Sequence, residues 1–230
     1  MLSHRKLFWV KAAVILAALP VLITAYEYGP DPGNTGAPGE TTCAQAGCHT
    51  GTAVNGGGGS VTVTFPSGLT YTPGVTQRLV VTVSDPAQRR WGFQLTARLA
   101  DNSQAGALSP ATANTQVLCS TPPFLAQVPA PCPANLPVQF IEHTSAGYDQ
   151  ANPSFPFDWT PPAASGNVTI YVAGNAANGD LTNWIPSSPC WRNNPIKSGA
   201  GHKSAHFFTA ASRLHSSIMA APHFKETRVS

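Results

Sequence analysis

Charged side chains are scarce in this chain of 230 residues, where Asp, Glu, Lys and Arg together make up 10%. Glycine and proline, by contrast, number 20 and 22. Helical proteins usually carry many Glu, Lys and Arg residues on their surface, and glycine and proline disfavour helix interiors. The composition therefore argues against a helical protein and favours short strands joined by turns.

Basic residues are also too few and too dispersed for a nucleic-acid surface. The formal net charge is +3, and the excess comes partly from the first residues and partly from the last. No basic stripe results, so nucleic-acid binding is not supported. The acidic residues are scattered and no Gly-x-Ser-x-Gly sequence occurs, so the chain is not expected to be an enzyme.

The first 25 residues have the pattern of an export signal. Basic residues up to Lys11 precede an apolar run at 12–25, which is too short to span a bilayer comfortably and ends in small residues. We expect cleavage after Ala25, with Pro20 interrupting the run. An uncleaved membrane anchor is the alternative. Either way the remainder is expected outside the cytoplasm: periplasmic, at the cell surface or secreted.

Period-two alternation predicts the body of the fold. Runs rich in β-branched and aromatic residues, with polar residues between them, are typical of strands. The strong candidates are 60–65, 78–84, 91–99, 138–144 and 167–173, and weaker ones are 115–119 and 155–159. About seven short strands predict an all-β, immunoglobulin-like sandwich of two sheets.

Both flanks of this sandwich differ from it in composition. We place the β-sandwich domain at 60–180, after a Gly- and Pro-rich N-terminal loop at 26–59. That loop has little apolar surface to bury, so it needs a covalent tie or a bound group to stay ordered. Alternation stops after about residue 180, which predicts an irregular or disordered tail at 181–230.

The N-terminal loop contains Cys43, Cys48 and, directly after it, His49. Covalent haem attachment needs two thiols and a histidine following the second, whose imidazole binds the iron. Four residues lie between these cysteines instead of the usual two. The alternative is a Cys43–Cys48 disulfide in an exported protein, with no role for His49.

Three further cysteines remain outside this motif. Cys119 and Cys132 flank a Pro-rich loop, which a disulfide between them would stabilise by about 3 kcal/mol on loop-entropy grounds. Cys190 is odd in both schemes and is either free or paired between chains.

An ordered set of motifs resembles the bacterial choice-of-anchor V domain, a relative of the Reeler (reelin N-terminal) domain. The motifs are GAPGETTCAQAGCHTG (36–51), YTPG (71–74), GFQLTA (92–97), EHTSAG (142–147), FDWTPP (157–162) and VTIYVAGNAANGD (168–180). The resemblance implies an exported, immunoglobulin-like β-sandwich that is displayed at a cell surface or released. It also implies an N-terminal cysteine motif that commonly looks like a c-type haem site, although with a shorter spacing than here.

A c-type haem iron usually has a second axial ligand. His143, at the end of a predicted strand, is our candidate distal ligand opposite His49. The alternative is a half-buried histidine that hydrogen-bonds a backbone carbonyl near a turn. Five aromatic residues on the predicted strands could form a sugar- or peptide-binding face but are expected in the core: Trp91, Phe93, Phe157, Trp159 and Tyr171.

Two functions are therefore expected from the sequence. The first is electron transfer by one covalent haem c held through Cys43 and Cys48, with His49 as proximal ligand and an unknown redox partner. The second is a haem-free, Reeler-like adhesion or scaffolding module that binds a cell-surface glycan or protein. Membrane association is expected only if the N-terminal segment is not cleaved.

Overall fold

A computed structural model describes residues 28–44, 53–56, 58–149 and 153–178, together with the backbone of 190–192 and 196–200. Twelve strands lie within these residues: β1 (Ser60–Thr64), β2 (Thr70–Tyr71), β3 (Gln77–Ser84), β4 (Arg90–Arg98), β5 (Ala107–Pro110), β6 (Thr115–Ser120), β7 (Gln127–Pro129), β8 (Val138–His143), β9 (Ser154–Thr160), β10 (Asn167–Ala177), β11 (Cys190–Arg192) and β12 (Ile196–Ala200). One short helix, α1 (Ser145–Tyr148), follows β8.

The strands form two sheets that pack face to face. The smaller sheet has the order β1-β3-β9-β5, and the larger has the order β2-β12-β10-β4-β8-β6-β7, with β11 also paired to β10. Pairing is antiparallel throughout except between β12 and β2. The predicted all-β, two-sheet sandwich is confirmed, and each of the seven predicted strands is present.

Apolar side chains at every second position fill the space between the sheets. In β3 and β9 they are Leu79, Val81, Val83, Phe155, Phe157 and Trp159, all fully buried. Strands β4 and β10 of the larger sheet supply the opposing residues, among them Leu95, Ile170 and Val172. Alternation thus places the core where the sequence predicted it.

The larger sheet extends beyond the predicted domain boundary at residue 180. Strands β11 and β12 pair with β10, so part of the segment 181–230 is regular rather than irregular as predicted. Its remaining residues lie outside the described part of the chain. Both strands are too short for their alternation to be recognised from sequence.

The N-terminal segment, defined here as residues 28–44, lies on the outer face of the larger sheet. In β4, Leu95 and Ala97 face the core while Gln94, Thr96 and Arg98 face away from it, yet all five are buried. Asn34 lies over this outer face, and its backbone N–H donates to Oε1 of Gln94 at 2.8 Å. The described molecule therefore has a third layer. The sequence predicted at this place a loop that needs a covalent bond or a bound group to stay ordered.

Within the described residues no helix has the length and apolar character needed to cross a membrane. The predicted export signal at 1–25 lies outside them and stays a prediction.

Candidate functional site

A buried ion pair holds the N-terminal segment on the sheet. Glu40 forms it with Arg98, and the side chains are 0% and 1% exposed. The guanidinium also donates to Oγ1 of Thr96 at 2.9 Å and to the carbonyl of Asn102 at 3.1 Å. Burial raises the pKa of Glu40 although the charge of Arg98 opposes that shift, and burial lowers the pKa of Arg98.

A buried carboxyl group lies under the start of the same segment. Gln94 donates to Oε2 of Glu142 at 2.8 Å, and Gln116 donates to its Oε1 at 3.0 Å. Gly29 approaches so closely that a Cβ there would lie 2.4 Å from Oε1. Burial raises the pKa of Glu142 to about 8, against the opposing effect of the two amide hydrogen bonds. Removal from water disfavours the ionised carboxylate, so this contact favours the neutral acid.

Cys43 ends the described N-terminal segment, and its Sγ lies 3.3 Å from the carbonyl oxygen of Gly174 in β10. This cysteine is disulfide-bonded. A sulfur in a disulfide has no bond left for a haem vinyl carbon, so Cys43 does not fit the predicted two-cysteine haem attachment. Cys48 and His49 lie outside the described residues.

His143, the predicted distal ligand, is buried where β8 parts from β4. Its Nδ1 lies 3.2 Å from the backbone nitrogen of Phe93, which donates to it, and 3.3 Å from the carbonyl oxygen. One face of the ring covers Gly92, where a Cβ would lie 2.8 Å from Cε1. Tyr148 stacks on the ring with centroids 6.4 Å apart. Because Nδ1 accepts from the Phe93 amide, it cannot donate to the carbonyl in the same tautomer. The histidine is thus bonded to backbone near a turn, as in the expected alternative, but as an acceptor, and at 5% exposure it is buried rather than half-buried.

The sheet brings Cys43 and His143 to the same region. Cys43 contacts Gly174, His143 contacts Phe93, and Gly174 and Phe93 are register partners in β10 and β4. Among the described residues, however, no group of three or more His, Cys, Asp and Glu side chains could hold a metal ion. The arrangement brings the N-terminal segment together with β10, β4 and β8, and Cys48 and His49 of the predicted haem motif lie outside the described residues.

The predicted pairing of Cys119 with Cys132 is confirmed, with the two Cα atoms 5.3 Å apart. The bond closes a loop that includes the pairing of β6 with β7, in which Cys119 opposes Val128. We call residues 120–131 the disulfide loop.

Phe124 anchors the disulfide loop to the body of the molecule. Its ring packs edge-on against Phe140 with centroids 5.5 Å apart, and it lies against Gly33 of the N-terminal segment. Its φ of 66° places it in the left-handed region, which bulky residues rarely adopt. The next residue, Leu125, is 90% exposed.

The aromatic residues considered for a binding face belong mostly to the core, as expected. Trp91, Phe93, Phe157 and Trp159 are all buried. Only Tyr171 of the five is partly exposed. They offer no exposed aromatic platform for a sugar ring.

Sequence reasoning did not identify Glu40, Arg98, Gln94 and Glu142 as the residues that join the layers. The available signal was the presence of Arg98 and Glu142 within strands that otherwise bury apolar residues. Charged groups are rarely buried without a partner, so such positions indicate a covered face. Their partners, however, lie 58 and 48 residues away in sequence, and no local pattern identifies them.

No protein-family model matches this chain, so membership of the choice-of-anchor V family stays a prediction. No curated protein matches it in sequence. Among solved structures it is similar to the human F-spondin Reeler domain, covering 62% of this chain and 88% of that one, at 14% identity and a TM-score of 0.38. A likeness at that level carries no functional conclusion.

Proposed function

We propose that this chain is an exported, haem-free β-sandwich module that binds a protein at a cell surface through its disulfide loop. The observation that carries the proposal is the pairing, in consecutive residues, of the anchored Phe124 with the exposed Leu125. Isolated exposed leucines are common on protein surfaces and need no explanation. This one differs because the backbone beneath it is held in an unfavourable conformation by a disulfide-closed loop.

The left-handed backbone conformation of Phe124 has an energetic cost. A left-handed residue with a Cβ costs about 1–2 kcal/mol, and Phe124 adopts it while its ring is packed on Phe140. Packing of the ring on Phe140 offsets this cost and keeps the loop in one conformation. Rigid presentation also lowers the entropy lost on binding, which favours a loop of this kind as a contact surface.

The surroundings of Leu125 indicate the chemistry of the partner. No charged residue occurs between Asp101 and Glu142 in the sequence, a stretch that contains β5 to β7 and the whole disulfide loop. The loop itself is neutral and Pro-rich, although the carboxylate of Asp31 from the N-terminal segment lies against it and accepts from Gln127 at 3.0 Å. Such a loop suits an apolar patch on a protein, and its association should depend weakly on salt. A glycan partner is less favoured because the aromatic candidates for sugar stacking are mostly buried.

Cell binding by labelled protein tests this function. Residues 26–230 are exported from a host that also carries haem-maturation machinery, labelled, and added to intact cells of the species that produces the protein. We expect saturable binding that disappears when the cells are treated with protease beforehand and survives glycosidase treatment. Burial of one leucine is worth about 2 kcal/mol, so Leu125→Ala should weaken binding roughly 30-fold.

Val75→Ala is the matched control, because Val75 is another exposed apolar residue, at 55%, and lies away from the loop. It should bind cells like the parent protein. Equal binding by Leu125→Ala and the parent would contradict the assignment of the loop. A covalent haem on the exported protein would contradict the function itself.

A further inference from the structure

We propose that Cys43 is joined by a disulfide to Cys190, linking the N-terminal segment covalently to strand β11. The inference rests on the proposed function in one respect only, since it requires that Cys43 carries no haem. It gives a partner to Cys190, which neither interpretation of the sequence paired within the chain.

The cysteine count narrows the partner of Cys43 to two residues. The chain has five cysteines. Cys119 and Cys132 are bonded to each other, and Cys43 is disulfide-bonded. Its partner within the chain is therefore Cys48 or Cys190.

Strand register places the backbone of Cys190 beside Cys43. In the antiparallel pair of β10 and β11, Asn175 opposes Cys190 and Gly174 opposes Trp191. Opposed Cα atoms in such a pair lie about 4.5–5.5 Å apart. The sulfur of Cys43 lies 3.3 Å from the carbonyl oxygen of Gly174, one residue from the position opposite Cys190. A disulfide needs Cα atoms within about 4.4–6.8 Å, which this placement allows.

Position 190 lies on the face of the larger sheet that the N-terminal segment covers. A Cβ on Gly174 would lie 2.9 Å from Val61 of the smaller sheet, so position 174 faces the core. Neighbouring positions alternate, so Asn175 and its register partner Cys190 occupy positions on the outer face. That is the face covered by the N-terminal segment.

Cys48 is always within reach of Cys43 because only four residues separate them. A bond between those two would not require Cys43 to lie on β10. Cys43 is nevertheless held there, because the neighbouring Thr42 forms a β-bridge with Thr35 in the segment anchored by Glu40. That placement keeps the sulfur of Cys43 beside the strand that pairs with Cys190, which favours Cys190 as its partner.

Formation of the bond is a two-electron oxidation. The two S–H bonds break, the S–S bond forms, and two protons are released. These two protons and the two electrons convert the disulfide of a thiol–disulfide oxidoreductase in the exporting compartment into two thiols. Cys48 then keeps the one remaining thiol.

Peptide mapping without reduction tests the proposal, using the full chain exported from a host with haem-maturation machinery and alkylated before digestion. Trypsin with glutamyl endopeptidase separates the cysteines into three peptides, 41–78, 99–142 and 143–192. We expect 41–78 linked to 143–192, with one alkyl group on 41–78. The control Cys48→Ser should keep the link without the alkyl group, and Cys190→Ser should abolish it.

The alternatives give different products. An internal disulfide in 41–78 with an alkylated Cys190 would overturn this proposal and leave the haem-free function standing. A haem adduct on 41–78 would overturn both. A dimer of 143–192 would show that Cys190 pairs between chains and would also overturn the proposal.

Discussion

Neutralising Glu40 should destabilise the protein strongly, because this residue balances a buried guanidinium. In Glu40→Gln the charge of Arg98 stays 1% exposed with only neutral acceptors around it. Breaking a buried pair by removing one partner typically costs about 3–5 kcal/mol. For a domain of this size each kcal/mol lowers the melting temperature by about 2–4 °C, so the loss should be roughly 10 °C.

The chain contains its own matched control for this change. Arg78 and Asp158 form a second ion pair, whose side chains are 53% and 26% exposed. Water and ions screen such a pair, so Asp158→Asn should cost about 0–1 kcal/mol. Urea unfolding followed by tryptophan fluorescence, together with thermal melts by circular dichroism, measures both variants against the parent.

Combining Glu40→Gln with Arg98→Met gives a sharper test of the reasoning. Removing the buried charge together with its partner should recover much of the stability lost in Glu40→Gln, because no unpaired charge remains. Equal losses in Glu40→Gln and Asp158→Asn would refute the account of this contact. So would a double variant that is less stable than Glu40→Gln alone.

Two further outcomes follow from the contacts described above. Burial raises the pKa of Glu142 from a usual 4.5 to about 8. The stability that this residue contributes is therefore full below about pH 4.5 and is lost as the pH rises through about 8. Urea midpoints at pH 5 and pH 9 should differ less in Glu142→Gln than in the parent, and an unchanged difference would contradict this. Gly174→Ala should cost about 1–3 kcal/mol in urea unfolding because its Cβ would lie 2.9 Å from Val61, whereas Gly166→Ala, with nothing within 4 Å, should cost at most about 1 kcal/mol, and equal losses would contradict the packing described.

The sandwich could be predicted because its core follows a local rule. Leu79, Val81 and Val83 alternate with partly exposed or exposed residues in β3, so one strand alone reveals which face is buried. β2 has only two residues, and β12, with the sequence IKSGA, has a single large apolar residue, so neither supports the same inference. β12 pairs with an edge of β10, and β2 pairs in turn with β12, so both strands depend on the fold rather than on their own sequence.

The third layer could not be predicted for a different reason. Gln94, Thr96 and Arg98 alternate with apolar residues and therefore look like a solvent-facing surface, yet all three are buried. What covers them is the N-terminal segment, in which Glu40 pairs with Arg98 and the backbone N–H of Asn34 donates to Gln94, across 58 and 60 residues of sequence. Polar side chains satisfied by distant partners leave no periodic trace in the sequence.

The cysteines show the same limit. The Cys119–Cys132 bond was predicted because the two residues flank one short Pro-rich loop, a feature visible in the sequence. A disulfide at Cys43 was only the alternative prediction, and its contact with Gly174 could not be predicted because the two residues are 131 positions apart. A nearby histidine and a second cysteine made haem attachment the first hypothesis, and the observation that argues against it is that Cys43 is disulfide-bonded.

The central claim is that this module carries disulfides where the motif suggested haem. Intact-mass spectrometry of the exported, unreduced protein after alkylation tests it most directly. With five cysteines, two disulfides and no cofactor, we expect the mass of the mature polypeptide less four hydrogens, plus one alkyl group. An absorption spectrum of the same sample should show no Soret band. A mass that includes a covalently bound haem would contradict the claim.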